Sequence, residues 1–200
     1  MYNSWSERKK APSCLMNLFE FLMILLSLIV GLGLAEILSG IARSLKSEGL
    51  RGFSWTHGAL TLIVLIGLLQ TFWESWGLAS IESWSFPAML LMLGSPIFLF
   101  LIAHVMFPER ESNVSLDDYY FEQARLIWAL AGLTVIVGAL FRPLAFGMPL
   151  WIVDNLSSLP TIFACVLLSF VNTRVLHRVV VPIILVVVLL DTLAVNYSIG

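Results

Sequence analysis

The chain has 200 residues, of which 59% are hydrophobic and only 12% are charged. Soluble globular proteins carry about 25% charged residues, so this composition, with a mean hydropathy of +0.94, is typical of an integral membrane protein. The net charge of −2 lacks the basic excess of a nucleic-acid-binding protein, so no nucleic acid is expected as a partner. About six membrane helices with their loops fill a chain of this length, which leaves no room for a separate soluble catalytic domain.

Six segments are apolar and long enough to cross a bilayer, which takes about 20 residues. They span residues 19–41, 57–76, 86–107, 123–142, 157–173 and 179–198. Because backbone groups in lipid must be hydrogen-bonded within their own segment, these spans are predicted to be helices. The predicted fold is therefore all-α, a single polytopic transmembrane bundle over residues 1–200. The last two segments are separated by a short stretch and are predicted to form a tight hairpin.

Two boundaries of the fourth helix can be predicted from single residues. Ser115, followed by Asp117 and Asp118, is typical of a helix N-cap with acidic residues in the first turn, so the helix is expected to begin in water before it enters lipid. Pro143 and Gly147 are expected to break the chain after the fourth helix. Because the predicted helices are apolar, the lipid bilayer is expected to be a partner of this chain.

The distribution of Lys and Arg predicts the orientation, because cytoplasmic loops carry an excess of these residues. One side of a six-helix chain receives Arg43, Lys46, Arg51, Arg110, Arg125, Arg174 and Arg178. The other side receives Arg8, Lys9, Lys10 and Arg142. This distribution predicts both termini outside the cytoplasm, although the basic N-terminal tail argues for the opposite orientation.

The first helix carries small residues at every fourth position, namely Ser27, Gly31, Ala35 and Ser39. This spacing places them on one stripe, and small side chains let a neighbouring helix approach closely. The stripe is predicted to pack against another helix, within the subunit or between subunits. A homo-oligomer is expected on this basis.

Glu36 and Asp191 are the carboxylates that lie clearly inside the apolar spans. A carboxylate in lipid must pair, take up a proton or face water, so both are candidates for coupling to an ion or a proton. Alternatively, Glu36 lies close enough to the interface to reach Arg43 or water, and Asp191 belongs to an ion pair, for which Arg142 is a candidate partner. The outer level of Asp191 is predicted to hold three further polar residues, Glu20, Gln70 and Glu74.

Three histidines, His57, His104 and His177, are predicted at one end of the bundle. Histidines on different membrane helices can bind haem or, with Glu36, a transition metal, so His57 and His104 are possible ligands. The other interpretation is interfacial histidine without a ligand. The sequence contains no HExxH, CxxCH or other catalytic motif, so no motif identifies a cofactor or an enzymatic activity, and haem or a metal stays one of the alternatives.

The residues that carry a resemblance are GLGLAEILSG at 31–40, the basic loop that follows, Trp55, His57 and Trp73. This arrangement resembles a group of small bacterial multi-helix membrane proteins for which no activity is established. The resemblance covers mainly residues 25–80. It implies a bacterial inner membrane protein, supplies no catalytic residues, and adds a reason to consider Glu36 together with His57.

These observations lead to three functional hypotheses. The leading one is passage or sensing of a small solute, an ion or a proton at polar positions in the bundle. The main alternative is a membrane scaffold or partner subunit, in which the polar residues serve packing and assembly. The third is a membrane protein that binds haem or a metal.

Overall fold

The computed structural model of the protein describes residues 17–47, 54–81, 83–108, 115–149 and 153–195. All secondary structure in these ranges is helical, which confirms the predicted fold class. The helices are α1 (Leu18–Ser47), α2 (Trp55–Ser75), α3 (Phe86–Val105), α4 (Leu116–Phe146), α5 (Val153–Phe170) and α6 (Arg174–Val195), with a 3-10 turn at Trp76–Leu78. Five residues used to predict the orientation lie outside the described residues, namely Arg8, Lys9, Lys10, Arg51 and Arg110.

Five helices are long and apolar enough to cross a membrane: α1, α2 with its 3-10 turn, α3, α4 and α6. The chain is therefore a multi-pass integral membrane protein. The apolar part of α5 that the structure describes, Ser158–Phe170, is shorter than these spans. In this respect α5 differs from the sixth full span predicted over residues 157–173.

The boundaries of α4 agree with the prediction at Ser115 and at Gly147, but not at Pro143. The Ser115 hydroxyl accepts a hydrogen bond from the backbone N–H of Asp118 at 3.2 Å, which confirms the N-cap. The prediction that Pro143 ends the helix is wrong, because α4 continues to Phe146. A proline removes one backbone hydrogen bond without removing those around it. The helix ends at Gly147, which adopts the left-handed conformation with φ 67°.

Contacts between the helix ends show that consecutive helices run in opposite directions, so the bundle has two ends. One end carries the C-termini of α1, α3 and α5 and the N-termini of α2, α4 and α6. We call it the histidine end, because His57, His104 and His177 make their contacts there. Their predicted location at one common end is confirmed. The other termini form the opposite end.

The last two helices do not form the tight hairpin that the sequence predicts. α5 packs mainly on α4, whereas α6 packs mainly on α2. Lipid tails solvate apolar helix faces as well as another helix does, so polar contacts help to select each neighbour. The Ser169 hydroxyl of α5 donates to the carbonyl of Arg125 in α4 at 3.2 Å, and the Thr192 hydroxyl of α6 donates to the Gln70 side-chain oxygen of α2 at 3.0 Å.

Candidate functional site

Glu36 and His104 contact each other at the histidine end. The Oε1 atom of Glu36 in α1 lies 3.3 Å from the Nδ1 atom of His104 in α3. The Glu36 side chain is 32% exposed and that of His104 is 64% exposed, so the pair lies on the outer surface of the bundle. The ring of Phe100 stacks on that of His104, with 6.3 Å between centroids. Glu36 thus has a specific partner, which is His104 rather than Arg43.

His57 lies on the inner side of the same helix end and is 4% exposed. Its Nε2 atom is 2.8 Å from the carbonyl oxygen of Met106. Because a carbonyl only accepts, Nε2 carries the proton and donates it. The His57 ring also meets the ring of Phe107 edge-on, with 5.0 Å between centroids. His57 therefore secures the residues that follow α3 to the start of α2.

α1 holds the end of α3 from another side. A Cβ added to Gly40 would overlap the ring of Phe107, so this ring packs directly on the α1 backbone. We call Glu36, Gly40, His57, His104 and Phe107 the α3-end cluster. Glu36 and His57, which the resemblance suggests considering together, both contact this helix end. They do so through different atoms, Glu36 through the imidazole of His104 and His57 through the carbonyl of Met106.

His57 and His104, with Glu36, are the residues predicted as possible ligands of a haem or a metal. Within the described ranges, no group of three or more His, Cys, Asp or Glu side chains is placed to hold a metal ion. Glu36 and His104 supply two donors, whereas protein zinc sites use three or four. The Nε2 atom of His57 donates to the carbonyl of Met106, which leaves Nδ1 as the nitrogen of this ring that could bind a ligand, and the roles of His57 and His104 as ligands stay a prediction.

Asp191 lies at the opposite end, where α2 meets α6. The side-chain nitrogen of Gln70 donates to Glu74 Oε1 at 2.8 Å and to Asp191 Oδ2 at 3.1 Å. The Thr192 hydroxyl donates to the oxygen of the same amide. The predicted common level of Gln70, Glu74 and Asp191 is confirmed. Among the described side chains, Arg142 is not within ion-pair distance of Asp191, whose polar contact is with Gln70.

The small-residue stripe of α1, formed by Ser27, Gly31, Ala35 and Ser39, faces away from the other helices. All four residues are exposed, and a Cβ added to Gly31 would meet no atom within 4 Å. α1 packs inward through a different face, on which Gly33 meets Leu68 and Ile37 is fully buried. The stripe therefore does not serve packing within the subunit among the described residues.

A buried polar network that the sequence does not predict lies just inside the histidine end. Tyr120, Trp128 and His177 are at most 1% exposed. The indole Nε1 of Trp128 donates to Tyr120 Oη at 2.9 Å, and Tyr120 Oη lies 2.7 Å from His177 Nδ1. The Nε2 atom of His177 lies 3.2 Å from the carbonyl oxygen of Val171. We call these four residues the α6 network.

The hydrogen-bond directions in the α6 network follow from the groups themselves. A carbonyl oxygen only accepts, so Nε2 of His177 carries a proton. An indole N–H only donates, so the Tyr120 oxygen accepts it and keeps its own proton for Nδ1 of His177. With a neutral imidazole, each donor in the network has an acceptor.

A cluster of charged side chains joins the N-termini of α2, α4 and α6 beside this network. Asp117 accepts a hydrogen bond from the Ser54 hydroxyl at 2.8 Å and pairs with Arg174 at 3.0 Å and Arg178 at 3.3 Å. Asp118 pairs with the other guanidinium nitrogen of Arg174 at 2.6 Å. The side chain of Asp117 is 22% exposed, whereas both arginines are more than half exposed. Asp117 is thus the central residue of this ionic cluster.

One sequence signal could have indicated the α6 network. Tyr120 and Trp128 are eight residues apart, and this spacing places two aromatic side chains with polar atoms on one face of a helix. Arg174, His177 and Arg178 share a face of α6 in the same way. The spacing of residues within one helix does not determine which other helix it contacts. The contact between this face of α4 and this face of α6 could therefore be found only from the structure.

No protein family, curated protein or solved structure matches the chain. The resemblance of residues 25–80 to small bacterial membrane proteins stays a prediction. The function of the protein is accordingly inferred from its own residues.

Proposed function

We propose that this multi-pass membrane protein senses protons through the contact between Glu36 and His104. The observation that supports the proposal is the 3.3 Å approach of the carboxylate to the imidazole on the outer surface of the bundle. Histidine is the side chain whose charge ordinarily changes between about pH 5 and 8. A charged imidazole makes the contact an ion pair between α1 and α3, whereas a neutral one leaves a weaker hydrogen bond. The contact therefore strengthens as the pH falls.

The positions of the two candidate carboxylates favour sensing over passage of a solute. Glu36 lies at the histidine end between α1 and α3, and Asp191 lies at the opposite end between α2 and α6. Leu26, Val64 and Leu68 are buried between the two levels, and the buried hydroxyl of Thr61 is bonded to the carbonyl of His57 within its own helix. Sensing needs one accessible titratable contact, whereas passage needs polar groups that connect the two ends.

We further propose that the protein lies as one integral domain in a bacterial inner membrane with both termini outside the cytoplasm. The resemblance supports the location in a bacterial inner membrane. The distribution of Lys and Arg supports the orientation of the termini. The described arginines at the histidine end are Arg43, Arg125, Arg174 and Arg178. In this orientation, the contact between Glu36 and His104 lies toward the cytoplasm.

A double-mutant cycle tests the contact directly. We expect Glu36→Gln and His104→Gln to show a coupling free energy of about 0.5–1 kcal/mol at pH 5.5 and close to zero at pH 8, because solvent screens a partly exposed pair. The measurement is the free energy of unfolding in an SDS titration of mixed micelles. Glu20→Gln in place of Glu36→Gln is the control and should show no coupling at either pH. Equal coupling at the two pH values would contradict the proposal.

Liposome experiments separate sensing from passage. The proton flux into liposomes is expected to be the same for the wild type, Glu36→Gln and Asp191→Asn. If either variant abolishes a flux that the wild type shows, passage through the bundle is the better interpretation.

The second candidate function is that of a membrane scaffold or partner subunit. It is favoured by the exposed small-residue stripe of α1, flanked by Leu28 and Leu32, which are 59% and 57% exposed. Small residues between larger ones form a groove that a second helix can enter. The occupant expected here is the α1 helix of another copy.

Measuring self-association therefore tests the scaffold function separately from proton sensing. Ala35→Leu fills the groove and is expected to weaken a homo-oligomer about fivefold or more, since about 1 kcal/mol changes an association constant by this factor. The stoichiometry can be measured by counting photobleaching steps of labelled protein in lipid vesicles. Val175→Leu on α6, where the native side chain is 77% exposed, is the matched control. A monomeric wild type would remove the support for this candidate.

A further inference from the structure

α6 packs mainly on α2, and it contacts α4 through side chains near its N-terminus. Among its described side chains, those of His177, Val181 and Ile184 are buried, whereas Val175, Ile183 and Leu190 are 77%, 56% and 60% exposed. An apolar helix face exposed to lipid carries little penalty, because the lipid tails solvate it. The polar contacts of α6 therefore have a large share in holding its N-terminal end against α4.

We propose that the α6 network is a latch that holds α6 while His177 is neutral and releases it when His177 takes up a proton. The proton comes from the aqueous phase at the histidine end and binds to Nδ1, and no covalent bond is broken. Nδ1 then becomes a donor to the Tyr120 oxygen, which already accepts from Trp128. The hydroxyl proton of Tyr120 loses its acceptor in a buried place, and an unsatisfied buried donor destabilises the closed arrangement.

The charged groups around His177 act in the same direction. Arg174 and Arg178 of α6 lie within one turn of the imidazole. They pair with Asp117 and Asp118 of α4. The formal charges of these two acids and two bases cancel, so protonation of His177 leaves this end of the bundle with an excess positive charge. This charge weakens the attachment of α6.

The other elements at this end hold titratable groups with partners of their own. α2 contributes His57, which is bonded to Met106. α5 contributes Cys165, which packs against Gly132 of α4. Arg125 of α4 lies over the ring of Phe170, with 5.9 Å to the centroid. The imidazole of His177 is therefore the group whose protonation changes the hydrogen bonds of the α6 network.

The latch is independent of the proposed sensing contact and has the opposite sign. A fall in pH strengthens Glu36–His104 between α1 and α3, whereas it weakens the attachment of α6 to α4. The two proposals therefore have separate readouts, and either can fail while the other stands.

The test is a distance measurement between α4 and α6 in the full chain. Spin labels are attached to cysteines at Leu126 and Val179, which are 47% and 54% exposed, in lipid nanodiscs, with Cys14→Ser and Cys165→Ala as background. We expect one short distance at pH 8 and a longer component whose fraction rises at least threefold at pH 5. A wild-type distance distribution that does not change between these pH values overturns the proposal.

Two variants assign the change to the network. His177→Asn keeps an acceptor close to the position of Nδ1 but cannot be protonated, so the short distance is expected at both pH values. Tyr120→Phe removes the hydroxyl, so the longer component should be present already at pH 8. His104→Gln should leave the response intact. A response that persists in His177→Asn, or that disappears in His104→Gln, overturns the assignment to His177.

Discussion

Replacing Gly40 with alanine is expected to lower the free energy of unfolding by about 1–3 kcal/mol, the usual cost of overpacking a well-packed core. The added methyl group would overlap the ring of Phe107, which is 6% exposed and held against the ring of His57. Moving this ring disturbs the attachment of α3 to both α1 and α2. The loss can be measured by SDS titration in mixed micelles.

Gly31→Ala on the same helix is the matched control for this prediction. A Cβ at Gly31 would meet no atom within 4 Å. The substitution is expected to leave the stability unchanged or to raise it by up to about 1 kcal/mol, since alanine is the better helix former. Equal losses for Gly40→Ala and Gly31→Ala would show that Phe107 does not pack on α1 as described.

Asp117→Asn is expected to cost about 1–3 kcal/mol, the range for hydrogen bonds that involve charged groups. Asp117 joins three helices, because its carboxylate accepts from Ser54 of α2 and pairs with Arg174 and Arg178 of α6. Asparagine keeps the shape but removes the charge and one of the two accepting oxygens. Thermal unfolding in detergent at low and high salt measures the loss and its electrostatic part.

Asp118→Asn provides the comparison for Asp117. The Asp118 side chain is 53% exposed and pairs with Arg174 alone among the described basic residues. Solvent screens an exposed ion pair, which contributes little to stability, so the loss should be clearly smaller than for Asp117→Asn. If Asp118→Asn is the more damaging variant, Asp117 is not the central residue of the ionic cluster.

Hydropathy predicted the fold class well, because the requirement for hydrogen-bonded backbone in lipid leaves few alternatives to helices. The cap at Ser115 was predictable from the local chemistry of a hydroxyl next to free N–H groups. The continuation of α4 beyond Pro143 was not, because a proline is compatible with a helix that its neighbours support. The separation of α5 from α6 was also missed, since it depends on contacts with α4 and α2.

The sequence indicated the individual residues of the candidate site, but not the contacts between them. Glu36 and His104 were each selected by their chemistry, yet their contact depends on how α1 and α3 lie side by side. The hydrogen bond from His57 Nε2 to the carbonyl of Met106 could not be predicted either, because it depends on where α3 ends beside α2. The α6 network was missed because Tyr120 and His177, which are far apart in sequence, acquire their roles only from each other.

The neighbours of each helix also bear on how the protein is made. α3 packs on α1 and α2, and α4 packs on α3. α5 then packs on α4, whereas α6 packs mainly on α2. Each helix that leaves the ribosome thus finds its docking surface among helices that have already been synthesised. The bundle can be assembled in the order of translation, without waiting for later segments and without exchanging neighbours. α6, the last of the described helices, then docks mainly on α2.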